Sequence, residues 1–471
     1  MRYFLDPFGC VKNQVDAEIM MAHLNNAGWV PAEEPEEADL IIVNSCGFIE
    51  SAKRESINAV LGWRKRCPEK KILLTGCLSR RYGAELAESL NEADLLFGGE
   101  DLSRITEAAD RAAGRGPARS GAGLPSGVPG VSAGPGHAGP SPEGPSPAPA
   151  PAAISGRRPL LSLPGSAYVK ISEGCDNRCS FCAIPLIRGP LASRPVPDIV
   201  DECRTLLRRG IREINLVGQD TGSYGLDRGG GNRDAALPAL LQALSALEGR
   251  FWLRLLYIHP DNFPPAILDI MARDGRFLPY FDIPFQHGSA KILAAMNRRE
   301  KAGACLRLLE TIRGRLPGAV IRSTFMTGFP GETEEDFAAL LDFQEKARLD
   351  WLGCFAWSRE EGTAAYSMKN RVPKKIAGER RRLVEERQVP ITEKNMDRFT
   401  GKEYDVLVEE KIEGEKGLYL GRLYCQAPEV DGAAVIRCDD DRPLEPGTFV
   451  RGRVFARAGF DLQIALREDR H

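Results

Sequence analysis

The 471-residue sequence has no apolar run near the roughly 20 residues of a membrane span. Its start, Met1-Arg2-Tyr3-Phe4-Leu5-Asp6, carries no cleavable signal pattern, so the expectation is a cytoplasmic protein with no membrane partner. Neither sign of charge dominates. The 63 Lys and Arg face 65 Asp and Glu, a net charge of -2, which argues against a mainly electrostatic grip on nucleic acid or anionic lipid. No P-loop occurs, and no G-x-G-x-x-G stands between a strand and a helix, so nucleotide triphosphate and Rossmann dinucleotide sites lose support. Paired C-x-x-C arms and histidines at zinc spacing are missing too.

Cysteine is plentiful, at twelve residues. Without a secretory signal these are expected to be reduced ligands or buried apolar residues, not disulfides. Three of them stand in Cys175-Asp176-Asn177-Arg178-Cys179-Ser180-Phe181-Cys182, a C-x-x-x-C-x-x-C loop that follows the strand-like run 167–171. Thiolates select zinc, copper(I) or iron–sulfur clusters. Three thiolates on a four-iron cluster leave one iron open, and an open metal position is what a substrate needs. A zinc knuckle is the other reading of the same residues.

At 43% apolar and 27% charged residues the chain has a globular composition, and its length predicts more than one domain. Residues 1–111 alternate strand-like and helical runs, which predicts a doubly wound α/β domain. Cys10, Cys46 and Cys77 stand where three successive strands end. The carboxyl ends of strands form the ligand crevice of an open parallel sheet, so these cysteines are expected to meet in a second three-thiolate site. Adjacent glycines let the backbone approach a bulky inorganic group. Three structural cysteines are the alternative. Cys67, before Pro68, falls outside the pattern.

Residues 112–156 are nearly all Gly, Pro, Ala and Ser, with ten Gly and ten Pro among positions 112–155, and are expected to be a disordered linker containing His137. Residues 157–400 again alternate strands and helices, which predicts a full or partial β/α barrel with its site at the carboxyl ends of the strands. Cys175, Gln219, Asp220, His259, Gln286, His287 and the turn from Gly328 to Glu332 fall there. Gln219, Asp220 and Glu332 equally suit helix caps, and His259 a packed core position. The charged stretch Arg359–Gln388 reads as a solvated helix. Residues 401–471 change to about five short strands, a small β-barrel of the OB type. From Lys402 to Arg470 it carries fifteen Asp or Glu against eleven Lys or Arg, a poor platform for RNA and a better one for a basic protein. Cys425 and Cys438 read as structural.

The two triads, the barrel and the terminal β-domain together resemble the methylthiotransferase family of radical S-adenosylmethionine (SAM) enzymes. They resemble its RimO branch, which modifies a ribosomal protein, more than its MiaB branch, which modifies tRNA. The resemblance rests on Gly9-Cys10-Val11-Lys12-Asn13-Gln14-Val15-Asp16-Ala17-Glu18, Asn44-Ser45-Cys46-Gly47-Phe48-Ile49, Gly218-Gln219-Asp220-Thr221, Asp282-Ile283-Pro284-Phe285-Gln286-His287 and Ala427-Pro428-Glu429-Val430-Asp431-Gly432. The long linker and the start Asp6-Pro7-Phe8 depart from the family pattern without removing a ligand. The resemblance implies methylthiolation of the β-carbon of an aspartate in small-subunit ribosomal protein 12. It implies two [4Fe–4S] clusters, one on Cys175, Cys179 and Cys182 that cleaves SAM, the other on Cys10, Cys46 and Cys77 that presents sulfur. SAM would lie near Phe181, Gln219, Asp220, Gln286, Gly328 and Glu332. The terminal barrel corresponds to the family's TRAM domain, the electron donor to a flavodoxin or ferredoxin, and the working state to a monomer. A tRNA methylthiotransferase, a non-enzymatic iron–sulfur carrier and a zinc protein are the competing readings.

Overall fold

The computed structural model describes residues 1–115, 157–228, 233–299, 301–438 and 443–466. Residues 116–156, which hold most of the expected linker and His137, lie outside that set. The N-terminal elements are β1 (Arg2–Pro7), α1 (Val11–Asn26), β2 (Val30–Pro31), β3 (Leu40–Ser45), α2 (Glu50–Arg66), β4 (Lys71–Gly76), α3 (Cys77–Ser89), β5 (Leu95–Phe97) and α4 (Ile105–Ala112). The five strands form one parallel sheet in the order β2-β1-β3-β4-β5. β3, Leu-Ile-Ile-Val-Asn-Ser, is buried throughout, as a central parallel strand between two helical layers must be. α1 begins at Val11, directly after Cys10, and not at the Asp16 where the apolar face begins.

The central elements are β6 (Ser166–Lys170), β7 (Ser172–Glu173), α5 (Ile184–Arg188), β8 (Ala192–Ser193), α6 (Val196–Arg208), β9 (Glu213–Val217), α7 (Arg233–Ser245), β10 (Trp252–Leu255), α8 (Ile267–Arg273) and β11 (Phe277–Asp282). They continue through α9 (Ala290–Ala295), α10 (Ala302–Arg315), β12 (Val320–Thr327), α11 (Glu334–Ala347), β13 (Trp351–Ala356) and α12 (Lys374–Met396). Six parallel strands in the order β13-β12-β11-β10-β9-β6 make an open sheet, so the barrel is partial. β11 stops at Asp282 because Pro284 has no N–H for the ladder, and Gln286 (φ 71°) rejoins β12 in a single bridge at Phe325. One expectation needs correction. The helix read over Arg359–Gln388 begins only at Lys374. Before it, Gly362 (φ 77°) and Asn370 (φ 57°) turn the chain left-handed and Pro373 stands at the N-cap. Arg380 of that helix is buried against Glu332 and Glu334 instead of solvated.

The terminal strands β14 (Glu403–Lys411), β15 (Leu418–Arg422), β16 (Ala434–Arg437), β17 (Phe449–Ala458) and β18 (Asp461–Leu466) close a barrel in the order β14-β15-β16-β18-β17. It plugs the inner face of the partial barrel through one shared apolar core that includes Tyr168, Trp252, Tyr280 and Trp351. At the centre of that seam Glu213 accepts from Arg254 (2.9 Å) and Arg422 (2.6 Å). Glu409 and Asp431, two of the acids behind the barrel's net charge, are buried in or beside this seam and face no outside partner. Among the described residues no helix is long and apolar enough to cross a membrane.

Candidate metal centres

Parallel register explains how three distant cysteines meet. Pro7, Asn44 and Thr75 are paired across β1, β3 and β4, so they lie level. Cys10, Cys46 and Cys77 follow that level by three, two and two residues (10−7, 46−44, 77−75). All three sit at the β1/β3 switch point and its neighbour, the crevice this strand order opens. Glycines press these loops together. A Cβ on Gly9 (φ 94°) would stand 3.0 Å from Cys46 Sγ, and one on Gly47 would stand 2.6 Å from the Cys77 carbonyl oxygen. Asn13 clamps the set: its Nδ2 donates to the carbonyls of Phe8 (2.6 Å), Asn44 (3.2 Å) and Ser45 (3.2 Å).

The second triad hangs on a loop braced from three sides. Ser180 is bonded to Ala295 and Met296, and its carbonyl accepts from Ala365 N–H. Asn177 Nδ2 donates to Cys175 Sγ (3.3 Å) and to Asp220 Oδ2 (2.7 Å). Asp220 also accepts from the backbone of Gly222 and His259 and from Ser223 and Asn262, so its carboxylate is spent on holding the loop. His259 Nδ1 accepts from Asp261 N–H, which leaves Nε2 as the protonated nitrogen, 3.7 Å from Cys179 Sγ.

The two triads share a wall. Arg188, at the end of α5 and six residues after Cys182 (188−182), places Nη2 3.2 Å from Cys77 Sγ. Its Nη1 pairs with Asp16 (2.7 Å) and Glu173 (2.9 Å), and Lys170 pairs with the same two carboxylates. Asp16 lies on α1 and the other three on the central unit, so this buried network crosses between them. Burial pushes the Cys175 and Cys182 thiols up to about 12 and the Cys46 thiol to about 11. Burial also acts to raise Cys10, but the cations of Lys12 and Arg188 and nearby backbone N–H groups outweigh it and the thiol is held down. Cys10 is exposed to solvent.

The other candidate residues divide. Gln219 Nε2 lies 3.3 Å from Glu173, while its Oε1 is buried with no hydrogen-bond partner. Phe181 packs beside Ile292, Met296 and Phe329. Gln286 stitches its backbone to Thr324 and Met326. Gly328 (φ 73°) lies against Ala377 of α12, and Glu332 accepts from Gly328 N–H (2.8 Å) and Arg380 (2.5 Å). His287 Nε2 is 3.4 Å from the same carboxylate. Asn13, Asn177, Asn262 and Arg188 had no individual role in the sequence reading, because each has partners distant in the chain, such as Asn44, Asp220 and Cys77.

Free cysteines in two sets of three, with an orphan acceptor and, among the described residues, no fourth His, Cys, Asp or Glu gathered with either set, fit a cluster that keeps one iron open. Among the described residues no three His, Cys, Asp or Glu groups are drawn in to hold a single metal ion.

Family models match residues 2–98 (uncharacterized protein family UPF0004), 169–343 (radical SAM superfamily) and 400–464 (TRAM domain). The chain is 45% identical to the ribosomal protein uS12 methylthiotransferase RimO of Treponema denticola, over 98% of this chain and 99% of that protein. It is 39% identical to the protein of the same name from Syntrophomonas wolfei, over 96% and 97%. Among solved structures it resembles the radical SAM methyltransferase TsrM from Kitasatospora setae, with cobalamin and a [4Fe–4S] cluster bound. The TM-score is 0.55 at 16% identity, over 78% of this chain and 73% of that one, a likeness of fold.

Proposed function

The chain belongs to the ribosomal protein uS12 methylthiotransferase RimO family, and from that premise we propose that it places a methylthio group on the β-carbon of an aspartate in uS12. SAM serves as both radical source and methyl donor in this reading. The observation that carries it is the shared wall between the triads, where Arg188 leaves the Cys175–Cys182 loop and reaches Cys77. A carrier of separate clusters has no need to join them through a buried ion network.

Cys175, Cys179 and Cys182 would hold one [4Fe–4S] cluster, and Cys10, Cys46 and Cys77 the second. When bound, the clusters and SAM supply the radical, the sulfur and the methyl group. The chain's own residues do the rest. Asp220 and Asn177 fix the loop at Cys175. Gln219 Oε1 offers an acceptor to the SAM ammonium, and Phe181 an apolar surface beside it. Arg188 ties the two sites together through Asn13 and Cys77. We assign a methylthiotransferase domain to 1–111, a connector to 112–156, the radical SAM domain to 157–400 and the TRAM domain to 401–471. A monomer acting in the cytoplasm with a flavodoxin or ferredoxin as donor completes the reading. The test is anaerobic incubation of the reconstituted protein with SAM, reductant and either uS12 or tRNA, followed by mass spectrometry. A methylthio group on uS12 supports the proposal, and one on tRNA with none on uS12 overturns it.

A further inference from the structure

Four cations stand around the space between the N-terminal triad and the inner face of the partial barrel: Lys12, Lys170, Arg188 and Arg322. Three of them have carboxylate partners. Lys170 and Arg188 share Asp16 and Glu173, and Arg322 stands between Asp282 (3.9 Å) and Asp431 (3.7 Å). Lys12 differs. Among the described residues no carboxylate lies within 4.0 Å of its Nζ, which sits instead over the Tyr257 ring, 3.5 Å from the centroid. The groups that face it are Tyr257, Cys10, Arg188 and, farther off, Asp282.

Tyr257 is itself unusual. It follows β10 in the left-handed region (φ 63°), which a bulky side chain enters only when its surroundings force it, and its carbonyl is held by Thr221 N–H (2.9 Å). The ring is thereby presented to a cation from the other domain. Lys12 lies two positions after Cys10 in the first turn of α1, a turn with no acidic residue. With the Tyr257 ring and Cys10 beside it and no carboxylate within pairing distance, this ammonium is free to take the carboxylate of a ligand.

We propose that Lys12 is the receptor for the side-chain carboxylate of the target aspartate, holding that residue beside the Cys10 loop. The inference rests on the functional reading above. The carbon modified in that reading is bonded directly to the carboxylate carbon, so a grip on one fixes the position of the other. The same grip separates aspartate from asparagine, which has the same shape and no charge. The Tyr257 face holds the ammonium beside Cys10.

The experiment uses full-length reconstituted enzyme with uS12 and with uS12 whose modified aspartate is replaced by asparagine. Initial rates are read by mass spectrometry, and iron and sulfide are counted on each preparation. Wild type is expected to favour the aspartate form by about tenfold or more in kcat/KM, the range of one buried charge-assisted hydrogen bond. Lys12→Met should bring that preference to within about threefold by raising KM for the aspartate form, and Lys12→Arg should keep it. A structural role alone would lower both rates and leave their ratio. An unchanged ratio in Lys12→Met at full iron content overturns the assignment of Lys12. The other carboxylate available is that of SAM. A tenfold weaker SAM affinity by equilibrium dialysis in Lys12→Met, with the ratio unchanged, would assign the group to SAM and also overturn the proposal. If wild type modifies neither form of uS12, the functional reading fails first and this one with it.

Discussion

Arg188 Nη2 lies 3.2 Å from Cys77 Sγ, and among the described residues no other guanidinium hydrogen-bonds to a cysteine of either triad. The same side chain pairs with Asp16 and Glu173. Arg188→Met would leave two buried carboxylates with Lys170 as their one remaining cation. Breaking a buried pair by removing one partner costs about 3–5 kcal/mol. A lower Tm and reduced iron at the N-terminal triad are expected, with Arg188→Lys intermediate, because a single ammonium cannot span Asp16, Glu173 and Cys77 together. Calorimetry and iron analysis check it.

The seam between the terminal barrel and the central sheet carries two opposite pH dependences. Glu213 is held down to about 2: burial works against its charge, but Arg422 and Arg254 outweigh that. Its contribution is therefore full above the ordinary carboxylate range, about pH 4.3, and is lost as pH falls toward 2. Asp431 is pushed up to about 6, chiefly by burial, against the pull of Arg322 and the Tyr280 hydroxyl. Its contribution is full below about pH 3.9 and is lost as pH rises through 6. Asp431→Asn should flatten the stability slope between about pH 4 and 7 by roughly 3 kcal/mol and leave the acid limb intact. Denaturant titrations across that range measure it. Glu213→Gln should remove the acid limb at a large cost in stability.

Gly328 packs its Cα on Ala377 of α12 and lies at φ 73°. Gly328→Ala combines left-handed strain with an overlap at Ala377 Cβ, and is expected to cost about 1–3 kcal/mol. Ala377→Gly relieves the overlap and not the strain, so the double variant should recover part of the loss. A double-mutant cycle measures the coupling.

The two triads should be separable. Cys179→Ala is expected to abolish SAM cleavage. Cys46→Ala is expected to stop methylthiolation while abortive SAM cleavage continues, since Cys46 makes no hydrogen bond to the Cys175–Cys182 loop. Release of 5′-deoxyadenosine by each variant is the readout, and its complete loss in Cys46→Ala would argue against separable sites.

What the sequence made legible follows from local spacing. The Cys175–Cys182 run is contiguous, and Cys10, Cys46 and Cys77 follow strands whose apolar runs are plain to read. The five short terminal strands announced a small barrel in the same way. Less could be read where two distant segments decide the outcome. Arg188 and Cys77 are 111 positions apart, and Lys12 meets Tyr257 only after two domains dock. A strand-end position does not say which way a carboxylate points: Asp220 gathers donors from the Asn177 and His259–Asn262 loops and Glu332 from Arg380, while Gln219 Oε1 has no hydrogen-bond partner. Between Arg359 and Pro373 a charged, helix-like composition was overruled by two left-handed residues and a proline.

Iron and labile sulfide, counted per chain on anaerobically reconstituted protein, test the two-site account most directly. It predicts two four-iron clusters in the wild type, and one in a variant lacking Cys10, Cys46 and Cys77 or one lacking Cys175, Cys179 and Cys182. A single cluster in the wild type, or zinc in place of iron, would contradict it.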